Sequence, residues 1–138
     1  MDIVSEHRLR NDLAETRHIG GWVEAFAQRA GLTRDVRNAL DLALVECVTN
    51  IISHAWNDSK EHWVMVRFRA SAGEVRVEVS DDGREFNPLT VPPADTTVPL
   101  ERREPGGLGV HMMRQLMDAV EYRRENGRNI LTLIKRTE

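Results

Sequence analysis

Apolar residues between positions 33 and 56 recur at roughly 100° per residue, the pitch of an α-helix. Val36, Leu40, Leu44, Cys47, Val48, Ile51 and Ala55 make a broad apolar face, while Glu46, Asn50 and Asn57 fall in a narrow polar stripe with Ser53 beside it. Leu42 and Ala39 lie near the same stripe, so it does not look like an ordinary solvent face. A helix apolar nearly all round is normally buried, and a carboxylate and an amide inside it need something to bind. Thr33 is placed to cap this helix. Ahead of it, residues 3–9 alternate weakly, as a short strand. Asn11 can cap a helix running to about Arg29, weakened in the middle by Gly20-Gly21 and closed by Gly31.

The period changes to two over residues 62–70 and 74–80. Val64, Val66 and Phe68 alternate with Met65, Arg67 and Arg69, and Val75, Val77 and Val79 with Glu74, Arg76 and Glu78. Ser71-Ala72-Gly73 joins them as an antiparallel hairpin. Residues 84–106 are rich in proline, threonine and charge with no period, and a loop of that length is usually functional or disordered. A helix follows over residues 109–119 with Val110, Met113, Leu116 and Met117 inward. Residues 120–125 and 129–136 read as a closing hairpin around Asn126-Gly127. Strands with one apolar and one charged face fit a sheet covered on one side only. The expected fold is α+β: a two-layer α/β sandwich, with a mixed, mostly antiparallel sheet and its helices on one face.

Composition narrows the function more than the fold. The 138 residues make one domain, 1–138, and 41% hydrophobic with 30% charged residues is ordinary globular usage. A net charge of −3 leaves no basic footprint and argues against nucleic acid as the direct ligand. One cysteine excludes a disulfide framework and fits a reducing cytoplasm; Cys47 lies on the apolar helix face, as a small buried hydrophobe does. Residues 1–10 are charged and lack the apolar run of a signal peptide, and no stretch is long enough to span a membrane. No internal repeat is present.

Two glycine motifs complete the candidate chemistry. Asp81-Asp82-Gly83 ends the valine strand, where an aspartate can accept a hydrogen bond from an exocyclic amino group such as adenine's, and glycine lets a planar base approach. Taken alone it is also a plain turn. Gly106-Gly107-Leu108-Gly109 precedes the Val110 helix, and unpaired N–H groups at a helix start favour an anion. Loops need glycine in any case, Glu46 alone reads equally as a solvated acid, and Asn50 alone as a satisfied core amide.

Jointly the order is more specific: an E-x-x-x-N helix, a strand ending in Asp-x-Gly, a long loop, then Gly-x-Gly opening a helix. The stretches LALVECVTNIISHAW, VSDDGREFNP and GGLGVHMMRQLMDAVEYRR resemble the ATP-binding (Bergerat) domain shared by gyrase, heat-shock chaperones, histidine kinases and mismatch-repair ATPases. Within that superfamily they are most similar to the small anti-sigma-factor serine kinases of bacterial partner-switching systems, from about Leu13 to Arg136. The resemblance implies ATP/ADP and Mg²⁺ as cofactors. Asn50 would bind the metal, and Glu46 would be the general base. Asp81 would hold the adenine amino group with Gly83 beside the base. Gly107, Leu108 and Gly109 would contact the phosphates. Residues 84–106 would form the lid, where Arg102 and Arg103 are either phosphate-side groups or solvated charges.

The chain departs from that pattern in two places. Phe86 occupies a region where relatives often have a second glycine. Gly127-Arg128-Asn129 stands where many carry Gly-Thr, so the threonine's help to Asp81 is lost or passes to Asn129. His54 is either a second phosphate-side group or a core or rim histidine. The function implied is an ATP-dependent serine kinase that phosphorylates a STAS-type antagonist of an anti-sigma factor and itself sequesters a sigma factor. The alternative is a nucleotide-dependent anti-sigma or adaptor module with negligible kinase activity. A histidine-kinase catalytic domain would need a dimerisation helix pair, and gyrase-like ATPases would need transducer domains. Residues 16–23, with Arg17 and Trp22, are a candidate partner surface, although tryptophan in an amphipathic helix is commonly core. The resemblance also implies a cytoplasmic homodimer.

Overall fold

The structure, a computed structural model, describes residues 2–90 and 107–137. Arg102, Arg103, Gly106 and most of the 84–106 segment lie outside the described residues. In chain order the elements are β1 (Ile3–Arg10), a 3₁₀ turn (Leu13–His18), α1 (Ile19–Ala30), α2 (Arg34–His54), β2 (Trp63–Ser71), β3 (Glu74–Asp81), a second 3₁₀ turn (Pro88–Thr90), α3 (Gly107–Leu116), β4 (Ala119–Glu125) and β5 (Arg128–Arg136).

The five strands form one sheet in the order β1-β2-β3-β5-β4. Each adjacent pair is antiparallel, so the mixed sheet allowed for by the sequence is antiparallel throughout the described residues. The alternation of β2 and β3 sends Val64, Val66, Phe68, Val75, Val77 and Val79 under the helices, each 1% exposed or less. Phe26 of α1 packs on Phe68 with ring centroids 5.1 Å apart, and Leu44 and Val48 of α2 are fully buried. Asn126 (φ 51°) and Gly127 (φ 76°) turn the chain back tightly, so β5 pairs with β4 on one edge, and its other edge pairs with β3. This register puts Asn129 opposite Asp81. Among the described residues no helix is long and apolar enough to cross a membrane.

Three expectations change. The first helix does not start at Asn11. Asp12 caps instead, accepting from the Ala14 N–H at 3.0 Å, and α1 proper begins at Ile19, so the glycine pair sits in its first turn. Asn11 is committed elsewhere: its Oδ1 accepts from the His62 N–H at 2.9 Å, and its Nδ2 donates to the Lys60 carbonyl at 3.2 Å. Second, α2 is capped by Thr33 as expected (Val36 N–H to Oγ1, 3.3 Å), but it is not buried all round. Leu42 is 53% exposed, and Glu46 and Asn50 are half-buried. Third, α3 runs Gly107–Leu116 rather than over 109–119, and Ala119 already belongs to β4.

Gly83 explains how β3 is tied to the end of α2. A Cβ there would lie 2.5 Å from the Ala55 carbonyl oxygen and 2.6 Å from Ala55 Cβ, and the next residue, Arg84, donates its N–H to that oxygen at 2.9 Å. Backbone cannot yield cheaply, so Gly83→Ala is expected to cost about 1–3 kcal/mol of stability. Urea unfolding checks this; an unchanged midpoint would mean that the two segments separate without cost.

Candidate functional site

The stripe predicted on α2 faces a cleft rather than the core. Glu46, Asn50 and His54 are one turn apart, so their side chains share one flank of the helix. With Thr49, Ser53 and Gly109 of α3 they line an outer cleft of about 530 Å³. Asn50 also lines an inner cleft of about 350 Å³, floored by Val79, Asp81, Asn129 and Leu131 and flanked by Phe86 and Tyr122. Both volumes include open space at the mouth. Asn50 is thus the wall common to a polar outer chamber and a mainly apolar inner one.

Asp81 reaches the inner cleft by simple alternation, as the next inward position after Val75, Val77 and Val79. It is 1% exposed. Its Oδ1 accepts from Asn129 Nδ2 at 3.0 Å and from the Gly83 N–H at 2.9 Å. Burial pushes the Asp81 carboxyl above the usual carboxylate range, and these two donors hold it back. Among the described residues both hydrogen bonds fall on Oδ1, and Oδ2 accepts none.

Asn129 is itself fully engaged. Its Oδ1 accepts from Tyr122 Oη (2.6 Å), Arg124 Nη1 (3.1 Å) and the Phe86 N–H (3.3 Å), and its Nδ2 donates to Asp81 and to the Arg84 carbonyl (2.8 Å). Of the two alternatives read from the sequence, the contact to Asp81 passes to Asn129. Gly83, expected beside a base, does not line the inner cleft; the space its missing side chain leaves is taken by Ala55. Phe86 lines the inner cleft, with its ring 5.5 Å from that of His54, which is a rim residue of the outer one. Burial, with the Asp81 charge adding to it, pushes the Cys47 thiol well up, so it remains a protonated, inert hydrophobe.

Across the outer cleft, Gly109 sits in the first turn of α3. A Cβ there would lie 2.7 Å from Glu46 Oε2, so the missing side chain is what lets this carboxylate rest against the helix start. Gly107 and Leu108 belong to the same turn. Here the obstacle is a flexible side-chain end, unlike at Gly83. Gly109→Ala is therefore expected to fold normally, even gaining up to about 1 kcal/mol from helix propensity, while the displaced carboxylate lowers any turnover. An unfolding midpoint that drops in step with activity would refute this contrast.

Tyr122 and Arg124 are site residues that the sequence reading missed. The signal was present: a two-residue turn at Asn126-Gly127 pairs Glu125 with Arg128 and therefore Arg124 with Asn129. The candidate partner segment is less uniform than expected. Ile19 and Val23 are buried, Trp22 stacks on His7 at 4.5 Å, and Arg17 is exposed.

A two-layer sandwich thus sets a polar helix stripe, a buried strand-end aspartate and a glycine-opened helix around two clefts that share Asn50. A family model described as a histidine kinase-like ATPase domain matches residues 9–135, and the chain belongs to that family. It is 31% identical over 112 residues to the serine/threonine-protein kinase BtrW of Bordetella bronchiseptica, covering 81% of this chain and 79% of that one. It is 30% identical over 109 residues to the serine-protein kinase RsbW of Bacillus subtilis, covering 76% and 68%. Its fold is similar to the RsbU and RsbW domains of Rv1364c from Mycobacterium tuberculosis, with a TM-score of 0.69 at 18% identity over 97% of this chain. The match covers 32% of that chain. The resemblance read from the three motif stretches holds at the level of the family and of its serine-kinase relatives.

Proposed function

We propose that the protein is an ATP-dependent serine kinase and anti-sigma factor. It phosphorylates a STAS-type antagonist and otherwise holds a sigma factor. The observation that carries this is Asn50 joining the two clefts, with Glu46 on one side and Asp81 on the other. The inner chamber carries the carboxylate acceptor that a purine amino group needs, and the outer one the carboxylate, amide and helix start that a triphosphate needs. Two serine kinases of comparable length, at 30–31% identity, support the choice of reaction.

The base enters the inner cleft, with its amino group on Asp81. The phosphates extend past Asn50 to the start of α3, where the backbone N–H groups of Gly107, Leu108 and Gly109 and the helix dipole favour anions. The residues present also fit a magnesium ion. Asn50 offers a hard oxygen at the junction of the clefts, and the described residues hold no cluster of three or more His, Cys, Asp or Glu that would cage a metal by protein alone. Mg²⁺ characteristically takes one or two protein oxygens and fills its shell with phosphates and water. Bound there, it would neutralise phosphate charge.

Glu46 accepts the proton of the attacking serine hydroxyl. The bond from γ-phosphorus to its bridging oxygen breaks as the bond to the serine oxygen forms, leaving ADP. The new phosphate adds about two negative charges to the antagonist. That weakens its docking and leaves the kinase, proposed as a cytoplasmic homodimer, free to hold the sigma factor.

The test is incubation with γ-labelled ATP, Mg²⁺ and candidate antagonists from the same genome. Label on a serine is the expected result. Tight sigma-factor binding without label would replace the kinase with a nucleotide-dependent adaptor.

A further inference from the structure

The Asn129 side chain poses a question that phosphotransfer does not answer. Three donors converge on its oxygen and two acceptors on its nitrogen, so its amide can face only one way. Two of those donors, Tyr122 and Arg124, come from the edge strand β4. Arg124 also donates to the Gly83 carbonyl at 2.8 Å, fastening the Asp-x-Gly turn to the same strand.

We propose that Tyr122 and Arg124 are positioning residues for purine selectivity. By locking Asn129 they aim its amide N–H at Asp81 Oδ1 and leave Oδ2 as a pure acceptor facing the inner cleft. The ligand class selected is the 6-aminopurine nucleotide, and 6-oxopurines are rejected. An ionised carboxylate whose other oxygen is saturated meets the adenine amino group as acceptor to donor. Against the 6-oxo group of hypoxanthine or guanine it meets acceptor to acceptor. A carboxylate without its Asn129 bond loses one of the two donors that favour its ionised form. A loosened Asn129 therefore makes it easier for Asp81 to take up a proton and donate to a 6-oxo group. A threonine at position 129 would offer one hydroxyl. This chain uses a five-bond side chain instead, and spends Tyr122 and Arg124 to orient it.

The inference rests on the purine reading of the inner cleft, so its test separates the two. Competition binding of ATP and ITP in Mg²⁺ is measured on the full chain, on Tyr122→Phe, which keeps the ring, and on Asn129→Ala and Asn129→Thr. The full chain should prefer ATP. Tyr122→Phe and Asn129→Ala should each lower the ATP:ITP preference by about tenfold, the scale of one lost hydrogen bond, and Asn129→Thr should restore most of it. A merely structural role would weaken both nucleotides in proportion and leave the ratio fixed. An unchanged ratio in both Tyr122→Phe and Asn129→Ala, with ATP still bound, overturns the positioning role alone. No binding of either nucleotide by the full chain overturns the purine reading beneath it.

Discussion

Glu46→Ala is expected to abolish phosphotransfer, by about 10²- to 10⁴-fold, the usual contribution of a positioned general base. That corresponds to roughly 3–5 kcal/mol of transition-state stabilisation. ATP binding should persist, because Glu46 lines the outer cleft and the base site proposed at Asp81 lies in the inner one. Removing a carboxylate from beside a triphosphate also relieves like-charge repulsion, so affinity should hold or rise. Glu46→Gln sharpens the test, since it keeps the side chain's shape against Gly109 while losing basicity. Equal loss in both variants, with intact folding and binding, assigns the effect to proton transfer. Lost binding with a lowered unfolding midpoint would make Glu46 structural.

Asp81→Asn is expected to separate stability from recognition. The new amide oxygen can still accept from Asn129 Nδ2 and the Gly83 N–H, while its NH₂ replaces Oδ2. A donor then faces the donor of adenine, so ATP affinity should fall by roughly 10- to 100-fold, the loss of a charge-assisted bond, and ITP should suffer far less. Stability should move the other way. Burial raises the Asp81 pKa in the folded protein. The stability tied to this group is therefore fully present below the unfolded-state pKa and is lost as pH rises through the folded value. At neutral pH the ionised carboxylate is a cost, and asparagine removes it. The apo variant should be at least as stable as the parent near pH 7, with the difference vanishing in acid. Urea midpoints across pH read this directly, and a uniform loss of all purines with a lower midpoint would mean a damaged fold.

The elements that were legible from the chain are those in which one periodicity decides one face. Alternation through Val75, Val77 and Val79 places Asp81 inward without further information, and the four-residue step from Glu46 to Asn50 places both on one flank of α2. What local pattern does not report is the neighbour across space. Asn11 and Asp12 are both good caps, and the choice is made by His62, 51 positions away, which claims Asn11. Gly83 reads as room for a ligand until Ala55 is found against it. Leu42 reads as buried because the helix is greasy, yet among the described residues it stays 53% exposed. The insertion of β5 between β3 and β4 likewise belongs to the sheet as a whole. The Tyr122–Asn129–Arg124 cluster lies between these cases, since the hairpin register gives one pair and only the packed structure adds the third member.

Titration calorimetry of the folded protein with Mg-ATP and Mg-ADP bears most directly on whether the Glu46–Asn50 flank faces a nucleotide. Saturable heat is expected for both, weakened for ATP when Mg²⁺ is chelated and weakened again in Asn50→Ala. A well-folded sample that evolves no heat of association with either nucleotide at millimolar concentration would contradict the nucleotide site and everything built on it.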